Sequence, residues 1–202
     1  NKKLNLIMPN YKINMGFGLH LGYGIEGPVG SVFKLDASYL SPNVNIASRL
    51  ETATKQFGVS ILISGKLYNL FTDDMKSVCR YVDCVLVKGS SEPIDLYTID
   101  INYDVTPQKK EKVKIIETHE EKKKIFKEKK LMIESLIEEY GSISPIILEK
   151  KSYWELIDEK SEIFYEAWEN AMRLYKKGNW EEAKKYFENC LEEDSEDGPS
   201  NT

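Results

Sequence analysis

The sequence has 202 residues, of which 41% are hydrophobic, and it carries a formal net charge of −5 with a pI near 5.3. A chain of this length can bury an ordinary globular core, and its acidic balance argues against non-specific nucleic-acid binding. The three cysteines show no metal-ligand spacing, which indicates reduced thiols in a cytoplasmic compartment.

No apolar run approaches the roughly 20 residues that span a bilayer, so we expect no membrane contact from this segment. The chain does not begin with Met. We therefore expect a cytoplasmic piece of a longer protein, either soluble or the cytosolic part of a membrane protein.

The first predicted elements are strands. Residues 12–22 alternate apolar and polar side chains, which predicts a strand with its glycines and His20 on one face. We interpret His20 as a packed or hydrogen-bonded histidine rather than a catalyst. The glycine-rich run 24–31 predicts a turn-rich loop without Walker spacing, and 32–39 predicts the next strand.

A helix should follow from Ser41, a good N-cap, with Pro42 at the first helical position. Its core face carries apolar residues at helical spacing, namely Ile46, Leu50, Ala53 and Phe57. Asn45 and Arg49 are four residues apart and share a different face. An amide beside a planar cation can bind an anion, and the alternative is a solvated polar face.

Further along, 59–64 predicts a buried strand and 65–71 a short helix. We interpret the adjacent Asp73 and Asp74 as a solvated turn or helix cap, because a third oxygen ligand at useful spacing is missing. Residues 78–88 and 94–101 predict an antiparallel pair across a turn. The resulting order predicts an α+β fold with helices on a sheet.

Beyond Tyr103 the composition changes to a dense mixture of Lys and Glu, which predicts a charged helical linker. Residues 131–140 predict a helix that ends at Gly141. Residues 153–193 predict two helices with a break at Gly178 and Asn179, and their small and aromatic residues resemble one tetratricopeptide-type hairpin. We expect this hairpin to pack on the linker helices or on a protein partner.

Three stretches resemble a known family. The run 36–51, D-A-S-Y-L-S-P-N-V-N-I-A-S-R-L-E, is similar to the helix signature of class III nucleotide cyclases, the adenylyl and guanylyl cyclase catalytic domain. The glycine-rich run 16–31 resembles that family's strand and turn. Val87-Lys-Gly89 followed by 93–97 resembles its closing hairpin. The resemblance covers about residues 12–101.

The resemblance implies a ferredoxin-like half-domain in an α+β fold, followed by the helical hairpin. It divides the chain into 1–103 as the C-terminal half of a cyclase catalytic domain, 104–150 as the charged linker, and 151–202 as the tetratricopeptide-like hairpin and tail. In this family the active site lies between two cyclase domains, so the expected partner is a second such domain in a homo- or heterodimer.

The resemblance also implies the chemistry. ATP, or GTP, would be cyclised with release of pyrophosphate. Asn45 would orient the ribose, Arg49 would stabilise the transition state and Lys88 would meet the triphosphate. Ser38 stands where the family reads the purine and favours adenine, with Asp36 nearby.

The family's two metal-binding aspartates, which hold Mg²⁺ or Mn²⁺, belong to the half-domain that is missing here, and Ser90 replaces a second lysine. We therefore expect this chain to be inactive alone. The alternative is a catalytically inactive cyclase-like module for dimerisation or scaffolding, with the tail as its contact surface.

Overall fold

The computed structural model describes residue 8 and residues 15–88, 90–102, 118–142, 144, 147 and 151–202. These residues divide into two units. One contains the described residues of 1–70, 80–99 and 160–202, and the other contains those of 71–79 and 100–159. The architecture is mixed α+β, as predicted, with a small sheet and helices.

The first unit is built on a sheet of four strands, namely β1 (Phe17–Leu19), β4 (Ile61–Ser64), β5 (Arg80–Val85) and β6 (Ile94–Thr98). Their order in the sheet is β1-β4-β6-β5. Strand β1 runs parallel to β4, and β6 pairs antiparallel with both β4 and β5. The predicted pairing of 78–88 with 94–101 is thereby confirmed, with shorter strands.

Helix α1 (Pro42–Gln56) lies on this sheet, and a single turn, α2 (Gly65–Tyr68), follows β4. The core between helix and sheet is apolar and buried. Its members are Ile46, Leu50, Phe57, Leu62, Val82 and Leu96. The helical spacing in the sequence therefore identified the correct core face of α1.

Two predictions about the N-terminal part differ from the structure. The run 24–31 is not a loop but strand β2 (Ile25–Ser31), which pairs antiparallel with β3 (Lys34–Leu40) across a tight turn. Glycine and proline are tolerated because this ribbon has only two strands, so each is an edge strand. Proline has no backbone N–H to donate to a neighbouring strand, and an edge position such as that of Pro28 does not require one. Of the predicted strand 12–22, only 17–19 is a strand; 12–14 lies outside the described residues.

The C-terminal hairpin consists of α6 (Glu162–Lys176) and α7 (Trp180–Glu193), followed by a 3₁₀ turn (Pro199–Asn201). The break at Gly178, where φ is +78°, is as predicted. The hairpin packs on the sheet, which the sequence did not predict: Trp168 donates from Nε1 to the carbonyl of Tyr81 on β5 at 2.9 Å. Its buried apolar residues meet the sheet as well. A protein partner for the hairpin stays a prediction.

The second unit contains α3 (Asp73–Ser77), α4 (His119–Tyr140) and α5 (Lys151–Trp154). A capping box between Thr118 and Glu121 starts α4 well before the predicted start at 131. Gly141 ends it with φ of +71°, as predicted. No helix in the described part of the chain is long and apolar enough to cross a membrane.

Candidate functional site

The start of α1 is fixed by local hydrogen bonds. The Ser41 hydroxyl accepts from the backbone N–H of Asn43 at 3.1 Å and donates to the carbonyl of Tyr23. Pro42 occupies the first turn, where its missing N–H costs nothing. The predicted N-cap is confirmed, and it fixes where α1 begins.

Strand β1 brings α1 unusually close to the sheet. A Cβ built on Gly18 would lie 2.2 Å from the Ala47 carbonyl oxygen and 2.4 Å from the Glu51 nitrogen. Only glycine leaves room for the helix backbone there. Because Leu50 and Ile46 face inward, Asn45 and Arg49 are left on the exposed side.

The three predicted residues Asn45, Arg49 and Lys88 meet in one cleft. Together with Pro42 they line a space of about 370 Å³. A second groove of about 410 Å³ also borders Arg49 and Lys88 and continues past Phe57. The helix motif and the Val-Lys-Gly motif are far apart in the chain, so this meeting is a product of the fold.

The chemistry of the cleft suits an anion. A guanidinium offers a planar fork of donors and an ammonium offers a mobile point charge, and both match phosphate oxygens. The Asn45 amide adds neutral donors and an acceptor. All three side chains are exposed, so a ligand can reach them.

The structure does not bring the other two predicted residues into this cleft. Ser38 and Asp36 lie on β3, opposite Gly27 and Val29 of β2. Ser38 is half-buried, whereas Asp36 is exposed and pairs with Lys34 at 3.0 Å. Because β3 runs directly into α1, Ser38 lies close in sequence to the N-terminal end of that helix.

His20 holds the start of α1 against the sheet. Its Nδ1 lies 2.8 Å from the Ser64 hydroxyl, and its Nε2 lies 3.3 Å from Asn43 Oδ1. Burial lowers the pKa of His20 below 6.5; the hydrogen bond to Asn43 opposes this effect, and the charge of Lys66 adds to it. A hydrogen-bonded structural histidine was predicted. Its two partners were not, since neither carries a sequence signal.

The cleft does not fit a divalent cation. Magnesium and manganese prefer carboxylate and other oxygen ligands, whereas the lining offers two cations and an amide. Asp73 and Asp74 occupy the first turn of α3, and no group of three or more His, Cys, Asp or Glu residues in the described part of the chain can hold a metal. The side chains that line this cleft therefore provide no ligands for the Mg²⁺ or Mn²⁺ that the resemblance implies.

No family model matches the sequence. The chain is 35% identical over 89 residues to an adenylate cyclase of Anabaena cylindrica, an alignment that covers 44% of this chain and 18% of that protein. It is 28% identical over 189 residues to the terminal-differentiation-specific adenylate cyclase of Dictyostelium discoideum, and this alignment covers 93% of this chain and 6% of that protein.

The Dictyostelium alignment covers so much of the chain that it includes both the sheet and the C-terminal helices. A solved bacterial light-regulated adenylyl cyclase is also similar, with 30% identity, a TM-score of 0.35, and coverage of 42% of this chain and 23% of that one. The chain spans less than a fifth of the length of these curated relatives. It is thus similar to a segment of adenylate cyclases.

Proposed function

We propose that this chain supplies the transition-state-stabilising side of a nucleotide cyclase active site, with cAMP as the favoured product over cGMP. The observation that carries the proposal is the cleft lined by Asn45, Arg49 and Lys88. Two motifs that resemble the same enzyme family, separate in sequence, deliver their polar side chains to one place.

The reaction joins the ribose 3′ oxygen to the α-phosphorus. The 3′ hydroxyl loses its proton, the new P–O bond forms, and the bond to pyrophosphate breaks. Negative charge spreads over phosphate oxygens in the transition state, so fixed cations in the right place lower the barrier. Arg49 is the donor for those oxygens, Lys88 binds the triphosphate and Asn45 orients the ribose.

Purine selection is assigned to Ser38, with Asp36 as a neighbour. A hydroxyl can donate or accept a hydrogen bond, which suits the exocyclic amine and ring nitrogen of adenine. Ser38 lies on β3 and does not line the cleft, so this assignment rests on the family resemblance alone.

The other side of the site is assigned to a second cyclase domain, in the same protein or in a second copy. The β2–β3 ribbon supports this, because it presents an apolar surface to solvent, with Val32 and Phe33 each 98% exposed. Exposed apolar patches of this kind mark interaction sites. The metal ligands, and the rest of a ferredoxin-like domain, belong to the part of the protein outside this chain.

Replacing Arg49 tests the proposal in the full-length parent protein. We expect Arg49→Ala to lower kcat by about two orders of magnitude or more, which is the usual effect of removing one such donor. Cyclic nucleotide and pyrophosphate release are measured together. Lys55→Ala is the matched control, because Lys55 is an exposed cation on the same helix outside both cavities.

An Arg49→Ala protein with undiminished turnover contradicts the proposal. So does a parent protein that neither binds nor cyclises nucleoside triphosphates. That second outcome would favour the alternative function, a cyclase-like module for dimerisation or scaffolding.

A further inference from the structure

Strand β5 begins with a buried charge that the proposed chemistry does not use. Arg80 is only 5% exposed, and it forms a two-pronged ion pair with Asp197, which is 4% exposed. The Arg80 Nη2 to Asp197 Oδ1 distance is 2.6 Å and the Nη1 to Oδ2 distance is 3.2 Å. The pair joins the sheet to the C-terminal end of the chain.

Aromatic rings and hydrogen-bond donors surround this ion pair. The guanidinium lies over the rings of Trp168 and Phe164, at 4.6 and 5.3 Å from their centroids. Asp197 Oδ2 also accepts from the backbone N–H of Ser200 at 2.9 Å and from its hydroxyl at 2.6 Å. A buried ion pair adds little net stability over apolar packing, and its best use is to specify one geometry.

The same C-terminal segment touches the end of α1. A Cβ built on Gly198 would lie 2.3 Å from the Phe57 carbonyl oxygen and 2.6 Å from the Gly58 Cα. Thr202 donates from its hydroxyl to the carbonyl of Gln56 at 3.2 Å. The backbones are therefore in direct contact just after the last turn of the helix.

These two contacts hold the ends of the two elements that carry the cleft. Gln56 ends α1, about 10 Å along the helix axis from Arg49 at 1.5 Å per residue. Arg80 begins β5, which leads to Lys88. The C-terminal brace, defined as Phe164, Trp168, Asp197, Gly198 and Thr202, bridges them.

We propose that the C-terminal brace positions Arg49 relative to Lys88, with Arg80 and Asp197 as positioning residues. This inference rests on the proposed function of the cleft. Misplacement of a catalytic group by about 1 Å can cost about a hundredfold in rate. A brace that fixes both elements at one end limits the movement of one against the other.

Two variants release the brace in different ways. Asp197→Asn removes the negative charge that faces the buried Arg80 guanidinium, which can destabilise the fold. Gly198→Ala leaves the ion pair in place, because its φ of −59° accepts alanine, but the added Cβ would overlap the backbone of Phe57 and Gly58 and push the C-terminal segment away from α1. The matched control is Gly24→Ala, whose added Cβ would meet only Ser41 Cβ at 3.8 Å.

The first measurement follows the geometry without using activity. Spin labels at Lys55→Cys on α1 and at the exposed Cys84 on β5 report the distance between the two elements in the 202-residue chain. Cys79→Ser removes the partly exposed thiol, and Cys190 is fully buried. We expect one narrow distance distribution in the starting protein and in Gly24→Ala, and a broader one in both brace variants.

The second measurement is turnover by the full-length parent. We expect each brace variant to lower kcat about tenfold or more while KM for the nucleotide stays within about threefold, since positioning acts mainly on the transition state. Unchanged distance distributions overturn the inference. So does a broadened distribution with kcat within about twofold of the starting protein. If the Arg49→Ala protein keeps its activity, the proposed function is wrong. The spin-label distances between α1 and β5 then decide by themselves whether the C-terminal brace positions Arg49 relative to Lys88.

Discussion

His20 links three elements through one side chain, since it follows β1 and contacts Ser64 at the end of β4 and Asn43 in the first turn of α1. Asn43 uses its Nδ2 to donate to the Tyr23 carbonyl at 3.0 Å, which leaves Oδ1 as an acceptor. Nε2 of His20 therefore donates to Asn43 Oδ1, and in the neutral imidazole Nδ1 accepts from the Ser64 hydroxyl. Burial favours this neutral form.

Acid should therefore weaken the fold through His20. Its pKa in the folded state is lowered below 6.5, chiefly by burial, so the unfolded chain binds the proton first as pH falls. The stabilisation is complete above pH 6.5 and is lost as the pH falls below that value. Urea unfolding at about pH 7.5 and 5.5 measures it. We expect His20→Gln to reduce the pH dependence, and His119→Gln, at the exposed start of α4, to leave it unchanged. Equal pH dependence in all three proteins would contradict this account.

At the scale of elements, the contact between α1 and β1 decides where the cleft residues stand. Gly18 permits the contact because its missing side chain leaves room for the helix backbone. The sequence places several glycines on one face of this strand, a pattern that indicates close approach of a backbone or a ligand. The structure shows that the helix backbone is the neighbour at Gly18.

Gly18→Ala should therefore destabilise the first unit by about 1–3 kcal/mol, the usual cost of overpacking. The added methyl group would meet backbone atoms of α1, which cannot rotate away. Gly27→Ala is the control, because its Cβ would meet nothing within 4 Å. Chemical denaturation followed by circular dichroism measures both. A Gly18→Ala protein as stable as the control would show that α1 can shift without cost.

Strand β2 shows the limit of element prediction from composition. Glycine and proline in 25–31 predicted a loop, yet this stretch pairs with β3 along its whole length, from Ile25 with Leu40 to Ser31 with Lys34. Pairing with a neighbouring strand outweighed weak local propensity. The sequence did predict β3 as a strand, and a strand needs a pairing partner, so the neighbouring run 25–31 could have been recognised as that partner.

At the scale of the whole molecule, the proposed function makes the cleft only one side of a catalytic site. Its lining supplies cations and an amide, and the metal-binding aspartates of the resembling family fall outside this sequence. We expect the purified 202-residue chain to convert no ATP with Mg²⁺ or Mn²⁺. Product formation is measured for the chain and for its Arg49→Ala variant. Turnover that disappears with Arg49→Ala would refute the expectation, because it would originate from this cleft.

The sequence by itself determined the features that depend on neighbours along the chain. Ser41 and Pro42 started α1, Gly141 ended α4, and the apolar spacing identified the buried face of α1. Caps, turns and helix faces are set within a few residues, so their signals are local.

Only the tertiary structure decided which distant residues meet. Arg49 and Lys88 line the same cleft because α1 packs beside the end of β5, and Arg80 contacts Asp197 because the C-terminal hairpin folds back onto the sheet. Composition and periodicity predict neither juxtaposition, because each depends on the order of the strands in the sheet and on where the chain runs after each helix or strand. The sequence suggested an anion-binding helix face, and the fold supplied the second cation of the cleft and the segment that braces it.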